Sequence, residues 1–261
     1  VTKFWKDECG IVGVYGHPEA SNIAYLCMYA LQHRGQESAG VVSSTGRNMY
    51  SHRAMGLVQE VFDENILLKL PGSMAIGHVR YSTTGSSLLK NAQPFVVESN
   101  HGRIAVAHNG NLVNARTLRE RMEDAGAIFQ SSMDTEVIVH LMASVRSGRL
   151  LDKITIAANE IRGAFSLVFL TDNQIAACRD PWGLRPLVMG RINDKAVIFA
   201  SETCALDLVG AHYEREVEPG EVVIVDEDGV KSYHPIPARR HARCIFEHVY
   251  FARPDSTVFG E

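Results

Sequence analysis

Cys9 opens an apolar run, Cys9-Gly10-Ile11-Val12-Gly13-Val14, and a thiol in that place is either a small buried hydrophobe or a nucleophile. Breaking an amide takes a nucleophile, a proton acceptor, donors for the developing oxyanion and groups that hold the substrate. The chain offers candidates for these roles. Asn109-Gly110 lies between an apolar run and a helical stripe, so a side-chain amide and a backbone N–H could converge on an anionic oxygen; the same dipeptide is also a strong turn former. Arg80, closing the run Met74–Arg80 ahead of a Thr/Ser/Gly-rich stretch, could grip a carboxylate bidentately or sit in solvent. Asp134, followed by Thr135 and Glu136, could cap a helix or hold an ammonium group. Arg80 and Asp134 together would suit a zwitterionic amino acid.

The elements that must position these groups follow from periodicity. Ile11–Tyr15 reads as a buried strand with Cys9 at its entrance. Ile23, Leu26, Cys27, Ala30 and Leu31 make the stripe of an amphipathic helix, with Ser21 as N-cap and an end at Gly35. Ala39–Ser44 and Met49–Ala54 flank the turn signal Thr45-Gly46-Arg47-Asn48, and Met74–Arg80 and Arg103–His108 are further strands. Helical stripes cover Leu112–Met122, Val137–Val145 and Leu151–Ile161. Strands return at Ala164–Thr171, Gln174–Cys178, Leu187–Met189, Ala196–Ser201 and Glu221–Val225. Strands at both ends with helices between them, joined at hairpin spacings, predict an α+β fold of antiparallel sheets covered by helices.

At 261 residues the chain has the size of one large domain or two small ones. Its 46% hydrophobic and 21% charged residues exclude disordered, collagenous and coiled-coil classes. The 26 Lys+Arg against 30 Asp+Glu give a formal −4 with no long basic block, which disfavours nucleic acid and points to a small-molecule partner. Apolar stretches such as Ala164–Leu170 fall short of the ~18–20 residues of a membrane span, and the N-terminus has no signal-peptide core; a soluble, cytoplasmic protein is expected. The five cysteines (Cys9, Cys27, Cys178, Cys204, Cys244) are odd in number and include no C-x-x-C, and the eleven histidines lack a paired ligand spacing. Neither a disulfide framework nor a metal held by this chain alone is expected.

Taken in order, Cys9-Gly10-Ile11-Val12-Gly13 and His108-Asn109-Gly110 resemble the N-terminal-nucleophile amidotransferases at large. Three further segments, Leu31–Gln36 (LQHRGQ), Cys178–Leu187 (CRDPWGLRPL) and Glu247–Ser256 (EHVYFARPDS), are similar to the glutaminase domain of the amidophosphoribosyltransferase family in particular. The resemblance covers Cys9–Ser256. It implies a four-layer αββα sandwich of two mainly antiparallel sheets, of the N-terminal-nucleophile hydrolase type. It also implies that the Cys9 thiol attacks the side-chain amide of glutamine, that Asn109 and the Gly110 N–H stabilise the oxyanion, and that Arg80, helped by Thr83, binds the α-carboxylate and Asp134 the α-ammonium. Arg34 and Gly35 would line the nucleophile's pocket, and Tyr81 would belong to a loop closing over glutamine. Ammonia released this way would feed the conversion of phosphoribosyl pyrophosphate to phosphoribosylamine, the first committed step of purine synthesis.

In this class the proton acceptor is the nucleophile's own α-amine, with a reference pKa of ~7.7–8 against ~8.5 for a thiol. An amide nitrogen has no such basicity, so residues 1–8, Val1–Glu8, are expected to be a leader that is removed. Residues 9–236 are then the glutaminase domain. Residues 237–261, with Pro235-Ile236-Pro237 at their head, are an exit segment leading to a phosphoribosyltransferase domain that this chain lacks. Val222–Gly229 resembles a phosphoribosyl pyrophosphate site only superficially, because no phosphate-cradling loop follows; a strand and an Asp228-Gly229 turn are expected. The glutaminase domain needs no cofactor. Mg with phosphoribosyl pyrophosphate belongs to the parent, as does an iron–sulfur [4Fe-4S] cluster for which Cys244 resembles one ligand of four, and the parent is expected to be a homo-oligomer. The alternatives are a sister amidotransferase with another acceptor, disfavoured by Cys178–Leu187, and an unprocessed, catalytically silent module.

Overall fold

The computed structural model describes residues 9–81, 88–99, 102–146 and 148–260. The expected leader, Val1–Glu8, and Thr83 lie outside the described residues.

The first half of the chain supplies β1 (Cys9–Tyr15), α1 (Ala20–Ala30), β2 (Ser38–Ser44), β3 (Met49–Met55), α2 (Val58–Val61), α3 (Glu64–Leu67), β4 (Met74–Arg80), β5 (Phe95–Ser99), β6 (Gly102–Leu112) and α4 (Ala115–Asp124). The second half supplies α5 (Thr135–Ala143), α6 (Leu150–Glu160), β7 (Gly163–Leu170), β8 (Ile175–Arg179), β9 (Val188–Ile192), β10 (Ala196–Ala200), α7 (Thr203–Leu208), β11 (His212–Glu216), β12 (Val222–Asp226) and β13 (Gly229–Tyr233). Seven strands form one sheet in the order β11-β9-β10-β1-β4-β2-β3, and six form the other in the order β13-β12-β8-β7-β6-β5. The pairings are antiparallel throughout.

Strand side chains alternate between faces, and the cores divide accordingly. Val12, Val14, Val41, Ala75 and Val79 pack under α1 and α7 residues such as Ala24, Met28 and Leu206. Val106, Phe165, Leu167 and Phe169 pack under α5 and α6 residues such as Val137, Leu141 and Ile154. Between the sheets, Ile11, Val42 and Ile76 meet Ala105, Ala107 and Val168. The result is the four-layer αββα sandwich, with three apolar layers between its four tiers. Close approach is built in: a Cβ on Gly13 would stand 2.7 Å from Val168 of the facing sheet.

Several expectations shift in detail. α1 ends at Ala30 and a 3₁₀ turn, Gln32–Arg34, carries the chain to Gly35. Ser21 is inside the helix, its Oγ donating to the Leu70 carbonyl at 2.6 Å, so it is not the N-cap. Cys27, Ala30 and Leu31 of the expected stripe are buried and Ile23 packs against the core, but Leu26 is exposed and Ala24 and Met28 fill the core face instead. Asn109-Gly110 does not turn the chain: β6 runs through it to Leu112, and α4 starts at Ala115. Tertiary pairing with β7 overrides the turn preference of the dipeptide. β12 and β13 form a hairpin closing at Asp226 and Gly229, as the Asp228-Gly229 signal predicts. Short elements without strong periodicity, namely α2, α3, α7, β5 and β11, had no sequence signal. Among the described residues no helix is long and apolar enough to cross a membrane.

Candidate active site

Cys9 is the first residue of β1 and pairs with Arg80, the last of β4; Arg80 pairs on its other side with Ser38, the first of β2. Alternation puts Cys9 on the face of Ile11, and Arg80 on that of Ile76, both turned toward the second sheet. All three residues are buried. Gly35 packs directly on this end of β4: a Cβ there would fall 2.6 Å from the Arg80 nitrogen, so only glycine fits. Tyr81 follows immediately, and its carbonyl accepts from the Cys9 Sγ at 3.7 Å.

On the facing sheet, Asn109 shares the inward side of β6 with Ala105 and Ala107. It is completely buried, and neither its amide nitrogen nor its oxygen has a hydrogen-bond partner among the described residues. A buried amide left in that condition is costly. Gly110 has φ +148°, and a Cβ would meet the Ala164 carbonyl oxygen at 2.0 Å, so this irregular strand position requires glycine. His78, two residues before Arg80, ties the sheets together: its Nε2 lies 3.0 Å from the His108 carbonyl, beside Asn109. Asp134 stands ahead of α5, accepting from the Leu112 N–H at 3.0 Å, with its Oδ1 3.7 Å from His108 Nδ1.

The electrostatics follow from burial. Desolvation pushes the Cys9 thiol up to about 11 in spite of the Tyr81 contact; the charges of Arg80 and Arg34 pull it down and Asp134 pushes it up. Burial alone would raise the Asp134 carboxyl, yet His108 and the Leu112 N–H hold it below the ordinary aspartate value. Burial lowers His78 to about 3, so this imidazole is neutral.

Beneath Cys9 lies a group of charges that local sequence patterns did not reveal. Arg34, fully buried, donates from Nε to the Cys9 carbonyl at 3.0 Å, from Nη1 to Glu202 at 2.5 Å and from Nη2 to Glu247 at 3.0 Å. His33 Nε2 is 2.9 Å from Glu202, and Arg185 Nη1 donates to Glu247 at 3.0 Å. Glu247 comes from the segment expected as an exit, which folds back over Pro181 and Trp182 through Arg239 and Ala242. Glu247 opens the Glu247–Ser256 segment, but nothing in its neighbours announces burial.

The structure thus gathers Cys9, Arg80, Arg34, Gly35 and Tyr81 at one end of the first sheet and sets Asn109 and Gly110 on the facing strand β6. Asp134 stands at the edge of this group, close enough for its charge to act on the thiol. Cys244 is half-buried, while Cys27 and Cys204 are in one outer core and Cys178 in the other. No three His, Cys, Asp or Glu among the described residues are placed to share a metal ion.

Residues 78–208 match the family model of the glutamine amidotransferase domain. Over 256 residues the chain is 56% identical to amidophosphoribosyltransferase 1, chloroplastic, of Arabidopsis thaliana, covering 98% of this chain and 45% of that protein. It is 45% identical over 255 residues to the amidophosphoribosyltransferase of Bacillus subtilis, covering 97% of this chain and 53% of that one. A solved structure described as the allosteric regulatory enzyme of purine biosynthesis superposes with a TM-score of 0.93 at 45% identity, over 97% of this chain and 54% of the other. The chain spans about half the length of the curated relatives it matches.

Proposed function

Because this chain belongs to the glutamine amidotransferase domain family, we propose that it is the glutaminase unit of an amidophosphoribosyltransferase and that its active form begins at Cys9. The observation that carries the reading is Asn109: a fully buried amide without a partner among the described residues, on the strand facing the one that Cys9 heads.

The free α-amine of Cys9 takes the thiol proton, and the sulfur attacks the glutamine side-chain carbonyl carbon. The carbonyl π electrons move to oxygen, which Asn109 Nδ2 and the Gly110 N–H receive. Collapse of the tetrahedral adduct breaks the C–N bond; the α-ammonium returns its proton to the leaving nitrogen, and ammonia departs. Water then hydrolyses the γ-glutamyl thioester to glutamate and the thiol. Arg80, with Thr83, holds the α-carboxylate, Asp134 the α-ammonium, and Tyr81 belongs to the loop that closes over the substrate. The choice of the amine as base is supported by the thiol's surroundings: its hydrogen-bond partner is the Tyr81 carbonyl, which cannot take a proton, and His78 is too weak a base to hold one near neutral pH.

The ammonia serves a phosphoribosyltransferase domain that follows residue 261, converting phosphoribosyl pyrophosphate with Mg to phosphoribosylamine for purine synthesis. The names and the roughly twofold greater length of the relatives support this. In such a parent Cys244 would be one of four thiolate ligands of an iron–sulfur cluster, the others lying in the remaining length.

The test compares the chain starting at Cys9 with the chain keeping Val1–Glu8, and with Cys9→Ser in the trimmed form, by ammonia release and by trapping with an electrophilic glutamine analogue. Only the trimmed, Cys9-bearing chain should be active and labelled. Full activity with the leader retained, or in Cys9→Ser, would overturn the proposal.

A further inference from the structure

The charges under Cys9 form one connected group, with His33 also 2.9 Å from Glu202. Arg34 and Arg185 carry two positive charges, Glu202 and Glu247 two negative ones, and Glu202, Glu247 and Arg34 are fully buried. A buried ion group of this kind is weak evidence for stability, because desolvation offsets attraction. It is strong evidence for geometry, because a planar guanidinium with three edges occupied has one orientation left. Glu202 takes Nη1 and Glu247 takes Nη2, which leaves Nε aimed at the Cys9 carbonyl.

Glu202 is itself fixed. It follows Ser201, which extends the β1–β10 ladder by accepting from the Ile11 N–H at 3.0 Å, and its Oε2 accepts from Arg253 N and from Ser256 Oγ. Glu247 is fixed by Arg185, which donates to Oε1 at 3.0 Å, while Arg34 Nη2 reaches both carboxylate oxygens. Two remote parts of the chain, one after β10 and one near the C-terminal end, therefore meet on a single guanidinium.

We propose that Glu202 and Glu247 are positioning residues for the nucleophile: they clamp Arg34 so that its Nε pins the Cys9 carbonyl, setting the direction in which thiol and α-amine leave the first residue of β1. The requirement follows from the chemistry. Once the chain begins at Cys9, no preceding residue restrains that amino acid, yet amine, sulfur and substrate carbon must be held within a few tenths of an ångström of productive alignment. The carbonyl is the backbone group left for the protein to hold. The inference rests on the reading of Cys9 as an N-terminal nucleophile.

The experiment measures glutamine hydrolysis by the chain starting at Cys9 and by its Glu247→Gln form, with active sites counted by stoichiometric labelling with an electrophilic glutamine analogue. The expected result is a kcat per labelled site lowered about 10- to 100-fold, the scale for misalignment of a reacting group, with KM within about threefold. A role confined to folding would lower the number of labelled sites and leave kcat per site unchanged, and that result overturns the proposal. If Glu247→Gln does not fold, Glu247→Asp, which keeps the charge but retreats by one methylene, is judged by the same criteria. Absence of ammonia release and labelling in the unsubstituted trimmed chain would instead sink the glutaminase reading, and this inference with it.

Discussion

Cys9 and Arg80 are direct partners across the antiparallel ladder of β1 and β4, so the candidate nucleophile and the candidate carboxylate grip share one level and one face of the sheet. A glutamine held by its α-carboxylate on Arg80 is thereby kept beside the thiol. Arg80→Lys keeps the charge and loses the fork. It is expected to raise the KM for glutamine about 10- to 100-fold with a smaller change in kcat, the scale of one charge-assisted hydrogen bond. Steady-state hydrolysis measurements decide; an unchanged KM would remove Arg80 from substrate binding.

Asn109 should separate activity from stability. Asn109→Ala is expected to lower kcat about 10²- to 10³-fold, as for removal of one oxyanion donor. The thermal midpoint should stay level or rise, because no hydrogen bond to the described residues is lost and a buried amide is relieved. A large fall in the midpoint would mean that the amide is structural.

Gly110 and Gly35 should behave in the opposite way. In Gly110→Ala the new methyl meets a backbone oxygen at 2.0 Å, and in Gly35→Ala it meets the Arg80 backbone at 2.6 Å. Backbone in a paired strand cannot give way cheaply, so each change should cost at least about 2 kcal/mol in urea unfolding. Wild-type stability in either variant would show that β4 or β7 can shift.

Acid should unfold the domain through two overlapping windows. His78 is held near 3 by burial against an ordinary 6.5. The unfolded chain thus binds a proton that the folded one refuses, and this share of stability, complete above 6.5, is lost as pH falls from 6.5 toward 3. For Glu202, burial raises the pKa but His33 and Arg34 outweigh it, holding the carboxyl at about 2 against 4.5. Its share is present above 4.5 and lost as pH falls toward 2. Urea titrations across pH should show His78→Gln flattening the upper window and Glu202→Gln the lower. A Glu202→Gln curve parallel to wild type below 4.5 would contradict the assignment.

Much of this molecule is legible in one dimension. β1, the β2–β3 hairpin, β4, β7 and β10 lie close to where their short apolar runs and flanking turn residues predict them, because a strand buried on both faces is a short apolar segment bounded by turn signals. The candidate set of Cys9, Asn109, Gly110, Arg80 and Asp134 is visible as residue types able to share one reaction.

What the chain could not reveal locally is adjacency. Cys9 and Tyr81 are 72 positions apart, and Arg34 and Glu247 are 213 apart. The Asn109-Gly110 dipeptide favours a turn by itself and becomes strand only because β7 pairs with it. Nothing in the residues next to Glu202 and Glu247 marks them for burial; the fold sets both against Arg34. Side-chain periodicity is set by neighbours a few residues away, so sequence determines it alone; the partner of a buried charge is set by which strands and segments the fold brings together, and only the tertiary structure decides that.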